Sequence, residues 1–475
     1  MLDVLRHRAY RRLFTAQVIA LLGTGLATVA LALLAYRLAG PRAGAVLGTA
    51  LGIKMTANVI VAPVASALLA RLPRRAVLVA LDLVRAGVAV LLPWVDQVWQ
   101  VYLLVFVLQA ASAAFTPTFQ ATITDLLPDE DDYTHALSLS RLAYDLEMLL
   151  SPALAAAALT LLSFDDLFLG TAAGFTASAL LVTCTLIPRP RPTHHSGNLY
   201  RRTTLGVRRY LAVPRLRGLL ALHLAVAAAG AMVLVNTVIA VRDDLGRDES
   251  DVALALGAYG TGSLLVALAL PTLLRHHADR LLMLVGSATG AVILLATTTV
   301  SASAGAWRWP ALLTAWALLG AAGSLVLTPS GRLLRRSADD GHRPAMFAAD
   351  YALSHACWLL TYPLAGWLAA TAGTTWALIV LSALAATATA LAAHSWPTHD
   401  PDELEHEHRD LDASHEHLHD AHPVGAGGSW RHTHHYRLDE HHHTWPGRPA
   451  TTRSDAARLR TRKDPRRRRA RQRTR

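Results

Sequence analysis

The sequence predicts an all-α membrane protein: twelve transmembrane helices in two pseudo-symmetric six-helix bundles, followed by a disordered cytoplasmic C-terminal tail. Three observations predict it. Of 475 residues, 53% are hydrophobic. Apolar windows of membrane length recur along the chain, and arginines collect between them. The windows fall into two sets of six, parted by one long basic stretch.

The N-terminal stretch, MLDVLRHRAYRRLF, is basic and leads into a long apolar run. No small-residue cleavage site follows at signal-peptide distance, so a retained first helix is expected. Spans are predicted over 13–38, 44–70, 76–94, 99–127, 135–163 and 166–188, making 1–188 the first bundle. The ends of 99–127 and 135–163 are blurred by polar residues. Residues 189–216 contain prolines and two histidines, and eight arginines fall between 189 and 217. This stretch reads as a basic cytoplasmic linker. Spans resume at 217–241, 253–274, 281–300, 310–331, 346–370 and 374–395, making 217–396 the second bundle. Helix is the expected state, because strands of a membrane barrel alternate over about ten residues. The tail, 397–475, is His-rich and then Arg-rich, without apolar periodicity, and is expected to be disordered when metal-free.

Arginine placement predicts the orientation. The connections Asp96 to Val98, Phe164 to Asp166 and Ala372 to Thr374 have no Lys or Arg. Connections on the other side carry Arg71, Arg74 and Arg75, the basic linker, and Arg332, Arg335, Arg336 and Arg343. The N-terminus adds Arg6, Arg8, Arg11 and Arg12. Both termini are therefore expected in the cytoplasm of a multi-pass bacterial inner-membrane protein. One inside loop, Pro128-Asp-Glu-Asp-Asp132, is acidic, but the rule counts cations. Trp94, Trp99, Tyr102, Trp307, Trp309 and Trp376 fall at the opposite ends, as an aromatic belt does. A pI near 10.1 can signal nucleic acid. Segregation of arginine into loops fits the lipid bilayer better, and no nucleic-acid partner is expected.

Charges inside spans are costly and so are functional candidates. The first half holds Lys54 and Asn58, then Asp82 and Arg85, then Arg141, Asp145 and Glu147. Asp82 and Arg85 share a face at i,i+3, and Arg141 and Asp145 at i,i+4, so each pair can neutralise itself. Glu147 lies about 200° around the helix from Asp145. It is the carboxylate left over, suited to a proton relay or a cation ligand, or else paired with Lys54 or a backbone donor. The second half offers His223, Asn236, Asp350, His355 and Cys357. Asp350 and Ser354 share a face. His355 lies about 140° from Asp350, so the two line one cavity only if it is wide.

Thirteen of the 23 histidines lie in the last 80 residues. Those grouped there are His406 and His408; His415, His417, His419 and His422; His432, His434 and His435; and His441, His442 and His443. Neutral imidazole is a borderline ligand for Ni, Co, Zn and Cu(II). Cys184 and Cys357 both sit in apolar windows, which argues against a disulfide framework or a thiolate site. The polybasic end from Lys463 onward suits anionic lipid. The chain has no Gly-rich phosphate loop ending in Lys-Ser/Thr, no His-Glu-x-x-His and no Gly-x-Ser-x-Gly. No enzyme and no ATP-driven pump are expected; energy would come from an ion gradient.

Two six-helix halves, a basic central loop and inward termini resemble the major facilitator superfamily. The segment Ser66-Ala-Leu-Leu-Ala-Arg-Leu-Pro-Arg-Arg75, with Asp82 and Arg85 following, is similar to the superfamily's loop motif Gly-x-Leu-Ala-Asp-Arg-x-Gly-Arg-Arg. It departs at Ser66 for the Gly and Ala70 for the Asp, which weakens the usual charge latch. Ala9 to Gln17, Ala113 to Thr122, Leu137 to Glu147 and Leu353 to Trp367 resemble a bacterial subfamily that includes NreB-type nickel-resistance exporters, which also end in a histidine-rich tail. The resemblance implies proton-coupled export of Ni(II), and of Co(II), by a monomer without a tightly bound cofactor. The tail would hold metal at the inner mouth. Two other readings are an efflux pump for a drug or siderophore, with the tail incidental, and a membrane metal sensor that transports nothing. Intramembrane charges in both halves speak against the sensor.

The topology is directly testable. Alkaline phosphatase fused after Trp396 is expected to stay inactive, because that point should face the cytoplasm. Strong periplasmic activity there would contradict the orientation.

Overall fold

In hydrocarbon a chain must satisfy its own backbone groups, and an α-helix does so within one segment. The computed structural model describes residues 2–39, 43–69, 72–187, 199–242, 244–247, 249–339, 341–398, 400, 403–408, 422–424 and 429–435. Residues 1–401 form one unit and 402–475 another.

Each expected span is a helix. The first set is α1 (Arg8–Ala39), α2 (Ala43–Leu69), α3 (Arg74–Leu91), α4 (Val98–Leu126), α5 (Glu130–Leu159) and α6 (Phe164–Thr183). Asp129 caps α5 by accepting from the Asp132 amide, and Ser163 opens α6 in a capping box with Asp166. After α7 (Leu199–Ala212) come α8 (Pro214–Arg242), α9 (Glu249–His276), α10 (Asp279–Ala302) and α11 (Arg308–Leu327). Then α12 (Ser330–Ser337) precedes α13 (Arg343–Ala372) and α14 (Thr374–Ser395). Ten of the described helices are long and apolar enough to cross a membrane on those grounds alone. The 30-residue helices α5 and α13 are not among them. They carry the charged and imidazole-bearing faces of the two halves.

Three details go beyond these expectations. The stretch 189–216 is not simply a loop, because it holds α7. Gly206 and Tyr210 of α7 are buried at i,i+4 spacing, and the arginines between them obscure the apolar face. A Cβ at Gly206 would lie 2.2 Å from the Ala345 carbonyl oxygen, so α7 is pressed against α13. The basic connection after the tenth span likewise holds α12, which buries Leu333 and Leu334 and leaves its arginines half-buried. The third concerns the tail, where β1 (Glu403–His408), β2 (His422–Val424) and β3 (Ser429–His435) form an antiparallel sheet in the order β1-β3-β2. The run Glu-Leu-Glu-His-Glu-His alternates with period two, and its burial alternates with it, as a strand with one covered face requires. Other tail residues lie outside the described set.

The larger apolar clusters of the first unit segregate by half, while Ala62 of α2, Ala113 of α4 and Ala348 of α13 form a small cluster shared between the halves. Ala20, Leu34, Val105, Phe168 and Phe175 share one cluster, and Tyr10, Leu13, Phe119 and Tyr133 another. Met232, Leu294, Trp316, Leu319, Leu378 and Leu381 form the core of the second half. There α8 is the most buried of the candidate spans, with 72% of its apolar window inside. It is apolar all round, as a central helix must be. The indole of fully buried Trp316 donates to Thr237 Oγ1 at 2.7 Å, so its polar end is satisfied.

The crossing of α9 and α11 depends on two glycines. A Cβ at Gly262 would fall 1.7 Å from the Ala317 carbonyl oxygen, and one at Gly320 1.9 Å from that of Tyr259. Backbone rather than a movable side chain blocks both. Gly262→Ala is therefore expected to destabilise the protein by roughly 1–3 kcal/mol through overpacking. The check is a lower melting temperature in detergent micelles; an unchanged midpoint would contradict the close crossing.

Candidate functional site

A cavity of about 560 Å³ opens between the halves, lined by α1, α2, α4 and α5 on one side and by α8 and α13 on the other. Its polar wall follows helical spacing. On α4, Gln109, Ser112, Thr116 and Gln120 recur at steps of three and four, and on α1 Gln17, Thr24 and Thr28 at seven and four. These stripes in apolar windows are a signal that the charge-based sequence reading passed over.

Three cations reach the wall, Lys54, Arg85 and Arg141. Each is balanced from behind. Asp82 is fully buried and pairs with Arg85, while Ser178 donates to its second oxygen at 2.8 Å. The Arg85 guanidinium lies 4.1 Å from the ring of Phe115 and 4.4 Å from that of Phe175. Such a sandwich holds a planar cation in place. Arg141 pairs with Asp145 at 3.0 Å on the same helix. Ser263 of α9 joins that pair: Arg141 donates to its Oγ at 2.9 and 3.1 Å, and the hydroxyl donates to Asp145 at 2.8 Å. This triad ties α5 of the first half to α9 of the second. Both self-pairings expected from sequence are present, and the bridging serine is an addition that spacing within one helix could not reveal.

Glu147 is not on the cavity wall. Ser151 donates to its Oε1 at 3.5 Å, and Lys54 of α2 is the cation whose charge acts on it. Gly25 of α1 makes the space, since a Cβ there would stand 2.9 Å from Glu147 Oε1 and 1.9 Å from Ser151 Oγ.

The carboxylate that does line the wall is Asp350. His223 Nε2 meets its Oδ1 at 3.1 Å, and the Tyr210 hydroxyl donates to the same oxygen at 3.0 Å. Tyr210 comes from α7, inside the stretch read as a linker. His355 also lines the cavity, so the width that Asp350 and His355 require is present. Its Nδ1 lies 2.7 Å from the Tyr351 carbonyl oxygen and its ring packs on that of Tyr351 at 4.0 Å. An Nδ1–H donating there leaves Nε2 as the acceptor. A carboxylate and two imidazoles thus sit on one wall, contributed by α8 and α13. Asn236 of α8 is fully buried away from that wall and donates to the Ala365 carbonyl oxygen at 3.3 Å.

One end of the cavity is closed by charge. The acidic turn 128–132, an exception to the arginine pattern, is the acceptor for basic α12. Arg332 pairs with Glu130 at 2.5 Å, and Arg335 donates to the Pro128 and Asp129 carbonyl oxygens. The Tyr133 hydroxyl donates to Gly331 O at 3.4 Å across the same seam. Arg74 of the degenerate loop motif pairs with Asp125, and Arg343 of α13 approaches that carboxylate from the other half at 3.2 Å. Arg209 of α7 adds an ion pair with Asp339, at 3.7 Å. Burial works against the Asp339 charge, but the His342 hydrogen bond and the charges of His342 and Arg209 outweigh it and hold the carboxyl below its ordinary range.

In the tail unit, His406, His408 and His432 come together, with all three ligand nitrogens within 4.8 Å of one another. His422 lies on β2 and is exposed; His434 and His435 lie on β3. His415, His417, His419, His441, His442 and His443 fall outside the described residues.

The Major Facilitator Superfamily profile matches residues 13–241 and 219–439. No curated protein matches. Among solved structures, the human organic anion transporter TETRAN is similar at TM-score 0.68 and 14% identity, over 81% of this chain and 99% of its own. A bacterial homologue of the iron transporter ferroportin, in an outward-facing state, gives TM-score 0.66 and 14% identity over 82% and 99%. The E. coli fucose:proton symporter gives 0.63 and 13% over 82% and 98%. At these identities the likeness is one of fold.

The Arg141–Asp145 pair yields a stability test. Arg141→Leu leaves a buried carboxylate uncompensated and should cost about 3–5 kcal/mol. Arg141→Leu with Asp145→Leu should recover most of that loss in melting temperature. A single variant as stable as the parent would show that the pair does not neutralise itself.

Proposed function

Because the chain belongs to the Major Facilitator Superfamily and is a membrane-embedded transporter, we propose that it is a secondary exporter of divalent transition-metal cations. Nickel is the first cargo and cobalt the second. Export is driven by proton antiport through alternating access between the halves. The observation that carries this reading is the donor set on the cavity wall: Asp350 with His223 at 3.1 Å, and His355 on the same helix as Asp350. Imidazole and carboxylate together suit nickel and cobalt, and the wall offers no thiolate ligand for softer metals.

The same donors explain coupling. Imidazole must be neutral and carboxylate ionised to hold a metal, so protons and metal compete for them. Protonation from outside releases the metal, and loading from the cytoplasm releases the protons. Asp82, Asp145 and Glu147 stand behind Arg85, Arg141 and Lys54, so those cations carry their own balance and do not repel the cargo. The protein works as a monomer in the bacterial inner membrane with both ends in the cytoplasm. The histidine-rich tail gathers metal and does not cross the bilayer.

One observation favours a second reading. Lys54, Arg85 and Arg141 all reach the cavity. An organic solute with anionic groups, such as a siderophore, could meet them directly.

Cellular accumulation separates the two. A nickel-sensitive bacterial host expressing the chain should hold less nickel, with a smaller drop in cobalt. Unchanged nickel together with expulsion of a drug or siderophore would establish the second reading.

A further inference from the structure

Strand pairing in the tail places three imidazoles on one face of the sheet. His406 pairs with His432 in the β1–β3 register, and His408 follows His406 two residues on, so all three project from the same side. His406 Nε2 lies 3.0 Å from His408 Nε2 and 3.1 Å from His432 Nε2. His408 and His432 are buried and His406 half-buried. His406 Nδ1 is 3.0 Å from the Leu404 carbonyl oxygen, which selects the tautomer whose Nε2 carries a lone pair. Glu403, Glu405 and Glu407 are exposed on the opposite face, where Glu407 lies opposite Arg431, its register partner, at 3.9 Å.

We propose that His406, His408 and His432 form one site for a single divalent transition-metal ion. Metal–imidazole bonds run about 2.0–2.1 Å, so two nitrogens bound at right or tetrahedral angles stand roughly 3.0–3.4 Å apart. Two of the three separations already fall there. The third pair lies within 4.8 Å and needs only a small closure. Three nitrogen donors without sulfur favour nickel, cobalt or zinc over soft metals. Because strand pairing aligns the ligands in advance, binding here costs less ordering than in a chain that is merely rich in histidine.

The site also links segments distant in sequence. His406 and His432 are 26 residues apart, and metal held between them staples β1 to β3. Metal binding and formation of the sheet are therefore one equilibrium. The inference deepens the metal-export reading, but its test requires no transport.

The experiment uses the untagged full chain in detergent micelles and nickel as the probe. Equilibrium dialysis should find one tight equivalent per chain. His408→Gln and His432→Ala should each weaken that equivalent by at least the roughly 10–100-fold seen when outer-shell support of a metal ligand is removed. Amide exchange over residues 403–408 and 429–435 should slow on adding nickel, and this slowing should vanish in His432→Ala. Exchange measured without metal checks that each variant still pairs its strands. Survival of the tight equivalent in both His408→Gln and His432→Ala would overturn the proposal. A chain that binds nickel in this way but exports none would leave the site intact and defeat only the export reading.

Discussion

An isolated charge carried into hydrocarbon costs several kilocalories per mole, so an ionised side chain in a spanning helix must meet its counter-charge within a few ångströms. The first half meets that demand inside its own bundle. Asp82 neutralises Arg85, Asp145 neutralises Arg141, and Glu147 stands within the field of Lys54. In each case the acid is set back and the base reaches the cavity. The second half solves the problem differently. Asp350 faces the cavity, and its partners are an imidazole and a phenol rather than a permanent cation. Fixed charge is thus confined to one wall, and groups that can exchange a proton for a metal lie on the other.

That asymmetry bears on movement. The halves meet through a small apolar cluster of Ala62, Ala113 and Ala348, and through polar groups at two levels. Ser263 joins the Arg141–Asp145 pair at the level of the cavity, and the acidic turn before α5 meets α12 at the end. Contacts of this kind can be exchanged for water or for new partners at little net cost when the halves rock. The larger apolar cores stay within each half, and the small cluster of Ala62, Ala113 and Ala348 joins the two. Tyr210 gives α7 a place in this scheme, because the helix connecting the halves touches the one acidic group on the wall. A shift of α7 against α13 is felt at Asp350 through a single hydrogen bond of 3.0 Å.

What was legible in the sequence follows from the range of each interaction. Span positions could be read because length and apolarity are local properties. The Asp82–Arg85 and Arg141–Asp145 pairs could be read because helix geometry alone sets i,i+3 and i,i+4 contacts. Ser263 and Tyr210 could not, since they arrive from other helices and carry no charge. Glu147 was singled out by its own helix, whereas its position away from the wall is decided by α2 and by Gly25 of α1. The helices α7 and α12 were hidden by their arginines, which satisfy the topology rule and the amphipathic pattern together. In the tail, the alternation of Glu403 to His408 was in plain view. The partner strand that gives it meaning lies 26 residues away, and register over that distance is not written in spacing.

The central claim is that Asp350, and not the set-back carboxylates, exchanges protons for metal. Reconstitution into proteoliposomes with a nickel-responsive dye and an imposed pH gradient tests it most directly. The wild-type protein should move nickel against the proton flow and lose that flux when the gradient is collapsed. Asp350→Asn should abolish gradient-driven flux while leaving the protein folded, and Glu147→Gln should retain a substantial part of it. Full flux in Asp350→Asn, with none in Glu147→Gln, would contradict the account.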